Sequence, residues 1–380
     1  MNKFVSALLL IITAMISQQT WAARCDYIDN THAVRMTIPL SVGNISVGKD
    51  VSIGTIVHSF KVVGNNDLRP WQNCKHEGAP NVVIDQYLSL INTPSPVSNW
   101  GGPYAGAIYQ TTVPGLGFAI INNDGMNPGQ AISTVASKKW MTPISQYNDS
   151  GYSFYYGNSF TIYFIKTGDM NSGSVDGTRL PTVLLTTNSA TPVAGVPDTI
   201  YSINFSGSLN VIAATCTTPD VNVNMGKWDV SNISIPGQST TTAWVPFQVN
   251  LTGCPAMRGN FSDTNSPPTY DTKNGFSAGK LILNAIDILF TPSFGVVDAA
   301  QGIMNIQSGA NAAKGVGIQI ANDDGAHTLV NFNNKINKTL PQTLSGSNYS
   351  FGFAARYIKT GTTVTPGIAN GKMIFNINYY

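Results

Sequence analysis

Apolar residues along this chain recur at every second position in short runs. Val221, Val223 and Met225 alternate with Asn222 and Asn224, and Phe247, Val249 and Leu251 alternate with Gln248 and Asn250. An extended chain points successive side chains to opposite faces, so such runs predict half-buried antiparallel strands. Phe160 to Ile165 is a denser apolar run, as expected of a strand covered on both faces. Gly64-Asn65-Asn66-Asp67, Asn122-Asn123-Asp124-Gly125 and Asp323-Asp324-Gly325 mark turns between runs. No long stretch carries the 3.6-residue apolar period of a helix. The pattern predicts an all-β chain built from two β-sandwich domains.

The first residues follow a different rule. Lys3 is followed by an apolar stretch from Phe4 to Ile16 and by Thr20-Trp21-Ala22, with small residues where a leader would be cut. This is the pattern of an export signal over residues 1–22. The roughly 358 residues that remain exceed one ordinary domain. Thr191 to Asp198 has the composition of a linker, but Tyr201 to Val211 is one more strand-like run just before Cys216. Assigning that strand to the first domain gives domains at 23–211 and 216–380, with a linker at 212–215.

Composition narrows the functional classes. Only 11% of residues are charged, and the formal net charge is +2. The longest basic run is Lys138-Lys139, far from the concentrated basic face of a nucleic-acid binder. Glu77 is the only glutamate and has no evident carboxylate partner for glycoside hydrolysis. No nucleophile elbow, phosphate loop or His-Glu-x-x-His motif is present, so the reading is non-enzymatic and without cofactor. Four cysteines lie at Cys25, Cys74, Cys216 and Cys254, and the four histidines are scattered. The spacings are not those of a zinc site. In an oxidising compartment the simplest pairing is one disulfide per domain, Cys25–Cys74 and Cys216–Cys254, although four cysteines allow three connectivities.

The C-terminus carries the most specific pattern. Met373, Phe375, Ile377 and Tyr379 alternate to the end of the chain, with Gly367 fourteenth from the end and Tyr379 penultimate. Taken with Cys216, Val221–Gly226, Phe247–Cys254, Asn311–Ile320 and Phe353–Tyr357, this resembles the pilin domain of chaperone–usher fimbriae over about residues 215–380. The resemblance implies an incomplete immunoglobulin-like sandwich lacking its last strand. Gly367, Met373, Phe375, Ile377 and Tyr379 would then line a groove filled by a periplasmic chaperone and afterwards by a neighbouring subunit's donor strand. An unfilled edge of that kind does not persist in water without association.

Shaft pilins of this family carry a short donor extension before the first pilin cysteine. This chain carries instead about 190 residues with their own cysteine pair. It would accept a neighbour without donating a strand, which implies a place at the fimbrial tip after passage through the periplasm and an outer-membrane usher. Val47–Gly54, Val113–Phe118 and Ser159–Thr167 are similar to the receptor-binding domain of type 3 fimbrial adhesins. The resemblance implies an adhesin domain without carrying over ligand contacts; a lectin-like domain with a host glycan as receptor is the favoured expectation. A matrix protein such as collagen, or a structural adaptor without receptor, is the alternative. Aromatic and polar loops are the expected contacts, since rings pack on sugar C–H faces while amides and carboxylates take hydroxyls. The candidates are Arg69, Trp71, Trp100, Tyr104, Asn122, Asn123, Asp124, Lys138, Lys139 and Trp140, with Tyr147-Asn148-Asp149 as a further polar loop.

Overall fold

The computed structural model describes residues 23–29, 31–40, 43–64, 70–76, 82–97, 100–144, 151–157, 159–234 and 240–380. The expected export signal at 1–22 lies outside them, as do Arg69, Glu77 and Tyr147–Asp149. The N-terminal part contains strands β1 (Ala23–Tyr27), β2 (Val34–Pro39), β3 (Asn44–Gly48), β4 (Ile56–Val63), β5 (Trp71–His76), β6 (Val82–Ile91), β7 (Tyr109–Gln110), β8 (Leu116–Asn122), β9 (Ser137–Ile144), β10 (Tyr152–Tyr155), β11 (Ser159–Lys166), β12 (Gly173–Asp176), β13 (Thr182–Asn188), β14 (Asp198–Ser206) and β15 (Ser208–Ala214). After a helical turn α1 (Ser231–Ser234) come β16 (Val245–Cys254), β17 (Thr269–Asp271), β18 (Gly275–Ser277), β19 (Ala285–Pro292), β20 (Val296–Asp298), β21 (Ile303–Asn305), β22 (Val316–Asn322), β23 (Ile336–Thr339), β24 (Ser347–Lys359) and β25 (Met373–Tyr379).

The first core lies among strands of a sheet ordered β2-β14-β13-β6-β9 and a sheet containing β4-β11-β8-β7. Phe60, Phe118, Phe160, Phe164 and Tyr201 fill it, all essentially without solvent contact. Alternation works as expected in β6, where Val82, Ile84, Leu88 and Leu90 turn inward. β8 is buried on both faces: Phe118 and Ile120 join the main core, while Ala119 and Ile121 face a smaller cluster roofed by Trp100 and Tyr104. A small sheet, β1-β5-β10, is tied by the Cys25–Cys74 disulfide. Most pairings are antiparallel, but β14 runs parallel to β2 and β15 parallel to β3.

The second core lies between sheets β16-β24-β22-β21-β20 and β23-β19-β25. Val249 and Leu251 alternate inward in β16 as the sequence predicts. Phe290 meets Phe353 edge-on at 5.0 Å between ring centres. The Cys216–Cys254 disulfide joins the chain entering this sandwich to the end of β16.

Three details differ from the sequence reading. Val221–Met225 alternates in burial, yet it forms no ladder strand among the described residues; the nearest pairing there is the isolated bridge Thr217–Thr252. The expected linker is mostly strand, because Ile212, Ser46, Ala213, Val47, Ala214 and Gly48 are ladder partners between β15 and β3. The third departure crosses the expected domain boundary. The β17–β18 hairpin leaves the C-terminal sandwich and adds to the first domain's sheet, β17 running parallel to β4 from Thr269↔Lys61 to Asp271↔Val63. Phe261 and Tyr270 pack against the first core, and Phe276 lies 5.6 Å from Phe60. An exposed edge at β4 would leave backbone donors such as the Lys61 N–H unpaired; Pro268 O accepts that hydrogen at 2.9 Å.

Candidate functional site

The terminal strand β25 pairs on one side with β19, from Ile286↔Tyr379 to Pro292↔Met373. It is the outermost strand of its sheet. Beside it a cleft of about 780 Å³ reaches into the second core. Met373 and Phe375 line it from β25, Phe247 and Phe290 from β16 and β19, and Ile318 and Tyr357 from β22 and β24. The unpaired segment Asp220–Gly226 forms its opposite rim. The cleft continues along β25 into a hollow of about 330 Å³ lined by Phe375, Ile377, Tyr379 and, from the first domain, Lys49 and Asp50. Such a surface combines an open strand edge with exposed apolar side chains, the two requirements for taking up an extended peptide.

Gly367 acts differently from the residues of β25. A Cβ there would fall 2.4 Å from the Ala313 nitrogen and 2.5 Å from the Ala312 carbonyl carbon. The glycine lets residues 365–368 lie tightly on Ala312–Lys314, where Ala313 N–H donates to Ile368 O. It supports the approach to the cleft without lining it. Tyr379 is nearly buried and marks the end of the groove, where β25 meets the first domain. Burial pushes its phenol pKa up.

The nine receptor candidates of the first domain that are described fall into separate groups. Arg69 lies outside the described residues. Trp71 stacks on Tyr155 at 5.9 Å on the outer face of the small sheet. Trp100 donates from Nε1 to Pro103 O at 2.8 Å, and Tyr104 leans on Tyr163; both cover the satellite cluster on β8. Asn122 is buried, with Nδ2 donating to Asp124 O and Asn127 O, and Asn123 donates to Thr161 Oγ1 at 2.8 Å. Lys139, 4% exposed, pairs with Asp124 at 2.9 Å and donates to Gly157 O. Asn122 and Lys139 are thus both buried and make these polar contacts inside the fold. Lys138 pairs with Asp85 at 2.7 Å. Trp140 stays 49% exposed beside exposed Met141 on the edge strand β9.

A group that the sequence reading missed lies along the edge of β1 that is bridged to Ala194. Here Asp26, Tyr27, Gln72 and the Val193–Asp198 segment enclose a hollow of about 480 Å³. Tyr156 Oη donates to Gln72 Oε1 at 2.5 Å, and Tyr27 Oη donates to Asp198 Oδ2 at 2.7 Å. Burial first, then the Asp198 carboxylate, raise the Tyr27 phenol pKa, so it stays a donor. Exposed Tyr152 and Tyr155 stand on β10 of the same small sheet. The run Tyr152-Ser153-Phe154-Tyr155-Tyr156 was the available signal, since it alternates and is rich in rings. The hollow itself had none, because its residues come from three distant segments.

Comparison with known proteins adds the class. Residues 203–380 match the family described as Fimbrial protein. A Klebsiella pneumoniae "Fimbria adhesin protein" is 23% identical over 97% of both chains. Among solved structures, the CupB6 tip adhesin of Pseudomonas aeruginosa covers 94% of both chains at 15% identity, with a TM-score of 0.35. The receptor-binding domain of the Klebsiella pneumoniae adhesin MrkD1P covers 51% of this chain and 98% of its own, at 18% identity and a TM-score of 0.30. Its C-terminal part thus matches a fimbrial family, and nearly the whole chain is similar to a fimbria adhesin protein.

Proposed function

We propose that this protein is the tip subunit of a chaperone–usher fimbria, which binds a host-surface receptor through the first domain and joins the fimbria through the second. The observation that supports the assembly half is the outermost strand β25 beside its apolar cleft. A periplasmic chaperone fills that cleft first, the usher exports the complex, and the adjacent subunit's N-terminal strand then replaces the chaperone. Met373, Phe375 and Ile377 receive the incoming side chains, and Gly367 holds the backbone leading to them. The first domain stands ahead of the pilin cysteine Cys216, where shaft pilins of that family carry a donor strand, which supports a place at the end of the fimbria. A glycan is the favoured receptor class, since polar hollows and exposed rings share the first domain's surface.

Immunogold labelling of fimbriae assembled with this chain tests the proposal. Label confined to one end of each fimbria is expected. Label spaced along the shaft would overturn the tip assignment, and fimbriated cells that adhere equally with the chain deleted would overturn the receptor role.

A further inference from the structure

Resting on the reading that the first domain holds the receptor contact, we propose that the hollow between β1 and the Val193–Asp198 segment is that contact, and that it takes the terminal ring of a neutral sugar.

Position is the first argument. β14 and β15 do not pair with each other; the chain bends from one into the other at Gly207, which has φ +71°. β15 then leads directly into the second domain. Asp198, at the start of β14, is therefore separated from Ala214 by about 50 Å of strand contour at the usual rise per residue. A tip adhesin meets its receptor on the surface remote from the fimbrial joint.

The second argument is a polar relay that ends in the hollow. Buried Tyr156 donates to Gln72, the Gln72 amide lies against the Tyr27 hydroxyl, and that hydroxyl donates to Asp198 Oδ2. Gln72 is 1% exposed and Tyr156 fully buried, so the relay is held by the core and not by solvent. Asp198 Oδ1 accepts from the Thr199 N–H at 2.7 Å. A carboxylate has about four acceptor positions, so each Asp198 oxygen keeps one for a ligand hydroxyl. Asp26 adds a second carboxylate at the rim, paired at 3.0 Å with Arg24, and Arg35 lies close by, donating to Thr199 O at 3.4 Å.

The chemistry of these groups selects the ligand. Sugar hydroxyls are donors that match carboxylates, while the Tyr27 ring and Pro197 offer an apolar surface for ring C–H groups. Arg24 and Arg35 balance the two carboxylates, so the hollow offers no excess positive charge to a sialylated or sulfated sugar, and a neutral ring is favoured. A second hollow of about 490 Å³ lies elsewhere on the domain, with Arg179 the one charged residue among the described lining residues. It provides the internal comparison.

The test is a printed array of neutral, sialylated and sulfated glycans, with a lysine-rich peptide as a further spot, probed with the exported full chain. Neutral terminal sugars are expected to bind. Asp198→Asn, which still accepts from Tyr27, and Asp26→Asn should each weaken binding at least tenfold with an unchanged unfolding midpoint. Arg179→Ala should leave it unchanged. Binding confined to anionic glycans or to the peptide overturns the inference, as does loss of binding with Arg179→Ala alone. A silent array overturns it too. Adhesion of fimbriated cells to tissue is then measured: if it persists and needs the chain, the adhesin reading survives while this inference falls; if it is absent, both fall.

Discussion

Asp50 and Tyr379 exchange two hydrogen bonds across the two domains: the Asp50 N–H donates to Tyr379 O at 3.1 Å, and the Tyr379 N–H donates to Asp50 Oδ2 at 2.9 Å. The penultimate residue of the chain is thereby held by the first domain. A Cβ on Gly48 would stand 2.2 Å from the Tyr379 carbonyl, so the backbones touch here without room for a side chain. Removing one charged acceptor from a half-buried amide costs about 1.5–3 kcal/mol. Asp50→Ala is expected to lower the unfolding midpoint and to speed amide exchange at Tyr379 and Tyr380. Unchanged exchange at both amides would show that the joint does not depend on this carboxylate.

The β17–β18 hairpin makes a second, larger joint. Phe261 and Tyr270 belong to the second domain by sequence, yet they pack on the first core. Truncating a large buried aromatic typically costs about 3–5 kcal/mol, and partial exposure of Phe261 puts it at about 2 kcal/mol. Phe261→Ala should therefore destabilise the first domain, read from amide exchange in β4 and β11. The isolated segment 23–214 should melt below the first domain of the full chain. Equal midpoints would mean that the hairpin merely covers the surface.

His58 lies under that hairpin, fully buried between Phe164 at 5.6 Å and Phe261 at 5.7 Å. Neither ring nitrogen has a hydrogen-bond partner. Burial lowers its pKa to about 3 from the usual 6.5. A base with a depressed folded pKa stays neutral in the fold and takes a proton only when unfolded. Its contribution is complete above pH 6.5 and is lost as the pH falls from 6.5 towards 3. At pH 5 the loss is about 2 kcal/mol relative to pH 8. Urea unfolding at the two values should show it, and His58→Leu should flatten the difference. A slope that survives the substitution assigns the acid sensitivity to other groups.

Alternation made β16 and β25 legible, because side-chain faces are written in sequence at period two. The same alternation in Val221–Met225 gave a strand that the fold leaves unpaired. Faces are encoded locally, but backbone partners are not, and here the unpaired run borders the cleft. The hairpin was illegible for a related reason: nothing in residues 260–277 names the sheet they join. Lys138-Lys139-Trp140 reads as two cations beside an indole, yet the ladder shifts between Gln86 and Tyr87 and turns Lys139 inward to Asp124 while Trp140 stays out. The hollow at β1 was assembled from residues 26, 72 and 198, whose proximity depends on the Cys25–Cys74 pairing and the β1–β5 register.

The groove assignment is tested more cleanly at Phe375 than at Tyr379. Tyr379 serves both the cleft and the domain joint, so its loss would confound the two. Phe375 lines the cleft, meets Phe290 at 6.4 Å, and has no contact with Asp50 among its ring or hydrogen-bond partners. Its backbone pairing to Phe290 in β19 is independent of the side chain. Phe375→Ser removes apolar surface that an incoming strand would cover, worth about 2 kcal/mol of burial or roughly thirtyfold in affinity. Co-purification with the periplasmic chaperone should fall by about that factor, with periplasmic degradation rising as the uncaptured chain accumulates. Amide exchange in the first domain should stay unchanged. Full chaperone capture of Phe375→Ser would place the assembly contact away from β25 and remove the main support for the proposed role of the second domain.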